Sequence, residues 1–231
     1  MIDFGQSVRE EDLKNPVEFQ VAGDQIVHVS RAGILQVTSP PMICAFPRLT
    51  RDQLNTDRNR GIKTNSYGVD ITMKGAVEAQ NTFRAFMDDL DEKLLDFVVN
   101  NPQVLKSNMR NLTREGAAVM IKPCFRARSS YKTGRMYDDA MSCRSNLNVE
   151  HHEGVPVIDV NNNPYTEPLE YNSIIRVVLT YHGPYVITGS MFGNGWKLGA
   201  VQYLGKAEDA PPPPPPSFNA TDMSMFPVLG R

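Results

Sequence analysis

Between residues 76 and 100 apolar side chains recur at steps of three and four: Phe83, Phe86, Met87, Leu90, Leu94, Phe97 and Val98. That spacing draws one stripe along an α-helix, with Asp88, Asp89, Asp91 and Glu92 mostly off it. The stripe predicts a helix that caps a core. Asn101-Pro102 ends it, because the residue before a proline avoids helical backbone. Elsewhere the period is two or the apolar runs are short, as strands require. Residues 27–29, 33–38, 43–46 and 67–73 are strand candidates. In 119–128 the odd positions Val119, Ile121, Phe125 and Ala127 form one face, and the even positions Met120, Lys122, Arg126 and Arg128 the other. Residues 131–137 read as a hairpin tip. Residues 147–149, 155–160, 174–181, 185–188 and 197–204 complete a β-rich second half, with Gly193-Asn194-Gly195 as a turn.

Six consecutive prolines, Pro211 to Pro216, interrupt this pattern. Such a run forms a stiff spacer that joins neither sheet nor helix, about 19 Å long at about 3.1 Å per residue. The segment beyond it, 217–231, has too little apolar content for a core of its own, yet it holds Phe218, Met223, Met225, Phe226, Val228 and Leu229. The chain therefore divides into a polar lead-in with peripheral strands (1–41), one β-rich domain (42–206), and a linker with an interaction tail (207–231).

Charge sharpens the picture more than composition does. The net charge of the 231 residues is −2, but its sign is segregated. Residues 42–206 hold twenty Lys and Arg against seventeen acids, and the ends are acidic. Residues 106–135 hold eight basic residues against Glu115 alone. Alternation puts Lys122, Arg126 and Arg128 on one strand face, and the hairpin tip adds Lys132 and Arg135, with Tyr131 and Tyr137 interleaved. Cations neutralise phosphates and aromatic rings stack on bases, which is what sequence-tolerant single-strand binding needs. The competing reading is an edge strand that uses charge to prevent aggregation.

Other chemistry is sparse. His151-His152-Glu153 lacks the paired short-range ligands of a zinc site, and Asp138-Asp139 reads as a turn rather than as nuclease carboxylates. No phosphate loop, nucleophile elbow or H-E-x-x-H occurs. Neither an enzyme nor a cofactor is expected. Three cysteines, Cys44, Cys124 and Cys143, with no C-x-x-C, suit a reducing compartment. With no leader and no long apolar run, the chain is expected to be soluble and intracellular, in host cytoplasm or nucleus if viral.

The order of elements carries a resemblance. A Gly-Val-Asp-Ile-Thr strand at 68–72 runs into the helix. The basic strand and hairpin follow, then Val-Pro-Val-Ile-Asp at 155–159, a strand ending in Tyr181, and Trp196-Lys-Leu-Gly-Ala-Val-Gln202. This ordered set resembles the OB-fold single-stranded-DNA-binding proteins of short-tailed coliphages and their relatives in nucleocytoplasmic large DNA viruses, over roughly residues 42–206. The resemblance implies a mainly β fold, an OB-type barrel with one inserted amphipathic helix and a disordered proline-linked tail. It implies a protein that coats single strands in replication, recombination or repair, possessing no turnover. Lys122, Arg126, Arg128, Lys132 and Arg135 would take phosphates; Tyr131, Tyr137, Tyr181 and Trp196 would stack on bases. In that family an acidic tail ending in an aromatic recruits replication partners and competes with DNA. Here the tail region's acids are Glu208, Asp209 and Asp222 and the last residue is Arg231, so partner binding through Phe218 and Phe226 is expected and competition is not. A homodimer is compatible with this reading. The alternative is a structural or virion-associated β-barrel that binds other proteins and no nucleic acid.

Overall fold

The computed structural model describes residues 17–23, 25–29, 35–50, 66–73, 78–105, 113–129, 136–146, 154–187 and 191–207. Five strands close on themselves. β4 (Met42–Cys44) pairs antiparallel with β5 (Ser66–Thr72), and β5 with β8 (Met136–Asn146). β8 meets β11 (Met191–Lys206) in parallel at Arg144↔Lys197. β11 runs antiparallel to β10 (Ser173–Ile187), and β10 returns to β4. Short strands line the circumference: β3 (Gln36–Thr38) on β10, β6 (Ile121–Lys122) and β9 (Val157–Ile158) on β11, and β7 (Phe125–Ser129) on β8. A separate hairpin, β1 (Glu18–Ala22) with β2 (Gln25–Val29), packs on β10.

The predicted helix is α1 (Glu78–Asn100), and its stripe serves two cores. Phe83, Phe86 and Met87 enter the barrel interior with Tyr67, Val69, Ile71, Leu179 and Leu198. About two to three turns further, Leu94, Leu95 and Val98 meet Ile26, Phe192 and Ala117 in a second cluster. Phe83 is fully buried and meets Phe125 edge-on, with ring centroids 6.0 Å apart. The helix thus pins the hairpin β1–β2 and the outer part of the β10–β11 arm to the barrel. Asp91 departs from the sequence pattern: it is buried, on the inner face.

Several strand expectations need correction. Residues 119–128 are not one alternating strand. Thr113 caps a short helix, α2 (Arg114–Ala118), by accepting from the Gly116 amide at 3.1 Å, so Val119 and Met120 lie in the turn after it. Met120 is buried and Val119 is 84% exposed, the reverse of what a binding face at the even positions requires. Pro123, which cannot donate to a ladder, then separates β6 from β7. Gly193-Asn194-Gly195 is not a turn but the interior of β11. Residues 174–181 and 185–188 are not two strands: Gly183, at φ 100°, absorbs a bulge, and pairing continues through Gly183↔Gly195 and Pro184↔Asn194. Asp138 and Asp139 lie in β8, and Asp139 receives the Arg84 guanidinium at 2.6 Å. Residues 147–149 and His151-His152-Glu153 fall outside the described residues. The three cysteines are free.

Candidate nucleic-acid interface

Because Pro123 breaks the basic segment, its two halves attach to different strands. Lys122 pairs with Gly193 on β11, while Arg126 pairs with Ala140 on β8. They converge on one cavity of about 240 Å³. One wall is Lys122, Pro123, Cys124 and Arg126; the second is Met141, Ser142 and Arg144 of β8; the third is Tyr185, Asn194 and Trp196 of the β10–β11 arm. Arg126 is exposed and Lys122 half-buried. Among the described residues neither has an ion-pair partner. Three cations and two aromatic rings therefore share a concave surface, the combination that phosphates and bases recognise.

The floor of this cavity is held from beneath by Asp91. Its carboxylate accepts from the Cys124 amide at 2.6 Å, the Cys124 thiol at 3.3 Å and the Asn194 Nδ2 at 2.8 Å. Asn194 Oδ1 in turn accepts from the Tyr181 hydroxyl at 2.6 Å. Burial raises the Asp91 pKa against these hydrogen bonds, which favour the ionised form. Burial likewise pushes the Cys124 thiol and the Tyr181 and Tyr185 phenols upward. Those three groups are therefore neutral at physiological pH, and the floor presents no reactive thiolate.

Beside the cavity, strand register sets basic residues in a row. Arg48 bridges to Gly68, Gly68 faces Arg144, and Arg144 faces Lys197. Partners across a ladder point to the same face. Gly68 makes the row possible, since a Cβ there would collide with Arg144 Nη1 and lie 2.7 Å from the Cys143 carbonyl oxygen. The Arg144 guanidinium lies across that gap, 3.3 Å from buried Asp70 and donating to Ser142 Oγ at 3.3 Å. Arg144 belongs to both the row and the cavity, which makes one continuous basic surface.

Of the residues expected from sequence, Lys122, Arg126 and Trp196 come together here. Tyr181 does not: it is 3% exposed, its hydroxyl is bound to Asn194 and its ring packs against Trp196, so no face remains for a base. Trp196 is half-buried, with Phe86 on another side at 6.3 Å. Arg128 pairs with Tyr137 across the β7–β8 ladder by backbone; their side chains, and Tyr131, Lys132 and Arg135 between those strands, lie outside the described residues. So do Phe218 and Phe226. Arg114 of the basic segment is held by Glu92 and Asp96 of α1. Two residues were missed. Arg144 stands on a strand whose alternation, Ser142-Cys143-Arg144-Ser145, carries no strong apolar signal. Tyr185 is visible only through its cross-strand partner Gly193.

The circular order β4-β5-β8-β11-β10, with its single parallel pairing, decides the architecture. The chain is an OB-type barrel. It aligns with the crystal structure of gp2.5, a single-stranded DNA binding protein encoded by bacteriophage T7, at TM-score 0.51 and 13% identity, covering 75% of this chain and 93% of that one. The single-stranded DNA-binding protein from bacteriophage Enc34 in complex with ssDNA aligns at TM-score 0.42 and 12% identity, covering 84% and 96%. At these identities the likeness is one of fold. No protein-family model and no curated protein sequence matches the chain. Among the described residues there is no cluster of three or more His, Cys, Asp or Glu suited to a metal ion, and no helix long and apolar enough to cross a membrane.

Proposed function

We propose that the OB barrel binds single-stranded DNA along the surface formed by the cavity and the basic row. The observation that carries this is the convergence of Lys122, Arg126 and Arg144 with Tyr185 and Trp196 around one cavity. The fold shared with gp2.5, itself described as a single-stranded DNA binding protein, supports the reading. The mechanism is binding without turnover: cations take the phosphates of a strand whose bases reach the aromatic side chains. On this reading Arg128, Lys132 and Arg135 add phosphate contacts, and Tyr131 and Tyr137 add stacking contacts. The role is to coat and protect single strands in replication, recombination or repair. The tail beyond the proline run recruits a replication or recombination protein through Phe218 and Phe226.

Trp196, the chain's one tryptophan, lines the cavity and is a built-in reporter. Titration with oligo-dT should change its emission. Log affinity should fall with log salt at a slope of about −2 or steeper, from about −0.7 per phosphate neutralised by Lys122, Arg126 and Arg144. Arg126→Ala should flatten that slope by about 0.7. Salt-independent binding, or none, would overturn the reading.

A further inference from the structure

Two of the four glycines of β11, Gly193 and Gly195, lie on one face of this sixteen-residue strand. Glycine inside a strand is destabilising, by about 0.5–1 kcal/mol relative to alanine, so two of them two residues apart call for a reason. Tyr185 supplies it. The tyrosine stands directly opposite Gly193 in the ladder. A Cβ on Gly193 would lie 2.7 Å from the Tyr185 hydroxyl oxygen and 2.9 Å from the Lys122 carbonyl oxygen; one on Gly195 would lie 3.7 Å from Tyr185 Cδ1 and 2.9 Å from the Gly183 carbonyl oxygen. The ring therefore lies lengthwise along the glycine bed. It is half-buried, and it borders the cavity. Its hydroxyl has no hydrogen-bond partner among the described residues. Unlike Tyr181, which is buried, and Trp196, which is packed between Phe86 and Tyr181, Tyr185 is fixed in orientation without being enclosed.

Resting on the single-strand reading above, we propose that this cavity is a subsite for one nucleobase of the bound strand, with the Tyr185 ring as its stacking platform. Arg126 and Arg144 stand on two walls of the cavity and Lys122 at the edge of β6, so the phosphates on either side of an inserted base meet cations. The base leaves its neighbours in the strand and gains the tyrosine face. This contact is tolerant of base identity, since every base has a π-face. A platform already held in place by the backbone loses little side-chain freedom on binding.

The test compares full-length wild type, Tyr185→Phe and Tyr185→Leu on oligo-dT and on an abasic deoxyribose-phosphate strand of equal length. Thermal melts confirm that each variant is folded. Salt-sensitive wild-type binding to oligo-dT establishes the underlying reading; its failure overturns both proposals together. Given that binding, Tyr185→Phe should keep wild-type affinity. Tyr185→Leu should lose between about fivefold and a hundredfold on oligo-dT and little on the abasic strand, shrinking the preference for bases. If Tyr185→Leu melts lower but binds both strands as wild type does, the tyrosine only covers its glycines. The subsite is then refuted while single-strand binding stands.

Discussion

Replacing Asp91 with alanine sets two opposed effects against each other. The substitution removes a carboxylate whose burial is costly, as its raised pKa shows. It also leaves the Cys124 amide and the Asn194 Nδ2, which donate to it at 2.6 and 2.8 Å, without an acceptor. Each orphaned buried donor costs about 1–3 kcal/mol. The loss of two outweighs the relief, and a net destabilisation of about 3 kcal/mol is expected, which lowers the melting temperature by about 6–12 °C in a chain of this size. The pH dependence follows from the direction of the shift. A folded pKa raised above the unfolded value of about 3.9 means that the folded state holds this proton more tightly. Its stabilising contribution is complete below the unfolded value and is lost as pH rises through the folded one. The wild-type advantage over Asp91→Ala, read from urea midpoints, should thus be larger at about pH 4.5 than at about pH 8. An advantage that grows with pH would refute the raised pKa and show that the hydrogen bonds outweigh burial; one below about 0.5 kcal/mol at both ends would show that the carboxylate does not hold the floor.

Three further outcomes are expected. Phe83→Ala, at a fully buried site where α1 meets Phe125, should cost about 3–5 kcal/mol in chemical unfolding while the folded fraction keeps its oligo-dT affinity; a stable variant with lost binding would make the helix a ligand surface. Gly68→Ala places a Cβ 2.7 Å from the Cys143 carbonyl oxygen and against Arg144, and should lose about 1–3 kcal/mol of stability together with a measurable part of the salt slope; an unchanged slope would remove Arg144 from the phosphate contacts. Deleting residues 211–231 should leave oligo-dT affinity within about threefold, under about 0.7 kcal/mol, and abolish capture of a replication or recombination protein; a rise of about tenfold would show that the tail competes with DNA.

Much of the barrel was legible because periodicity is local. The stripe from Phe83 to Val98 needs only its own spacing to declare a helix, and the strand at 66–72 only its alternation. What escaped depended on partners distant in sequence. Asp91 looks like one acid among four until Cys124 and Asn194 arrive from elsewhere in the chain. Gly193-Asn194-Gly195 has the composition of a turn, and only the opposing Tyr185 explains its glycines. Tyr181 and Tyr185, four apart, would share a face on an unbroken strand. The register shift between Tyr181 and Gly183 resets that parity, so one ring enters the core and the other borders the cavity. Lys122 and Arg126 were expected on one face of a single strand. They do share a surface, but on separate strands either side of Pro123.

The closure of the barrel has a consequence for how the chain is made. Strands β3 and β4 pair with β10, about 130–145 residues further along, and that interval takes about 6–29 s at about 5–20 residues per second of synthesis. Until β10 and β11 leave the ribosome, the β4-β5-β8 sheet lacks its partner on β4 and along the part of β8 that β7 does not cover, which leaves unpaired amides and carbonyls as a template for pairing with a neighbouring chain. The long β10–β11 hairpin, whose own contacts are local, can form within microseconds of emerging and close the barrel, β10 on β4 and β11 on β8 at Arg144. The last-made of the described elements thus acts as a guard against nascent aggregation, and ribosome stalling or truncation before residue 173 should yield insoluble product rather than a smaller folded protein.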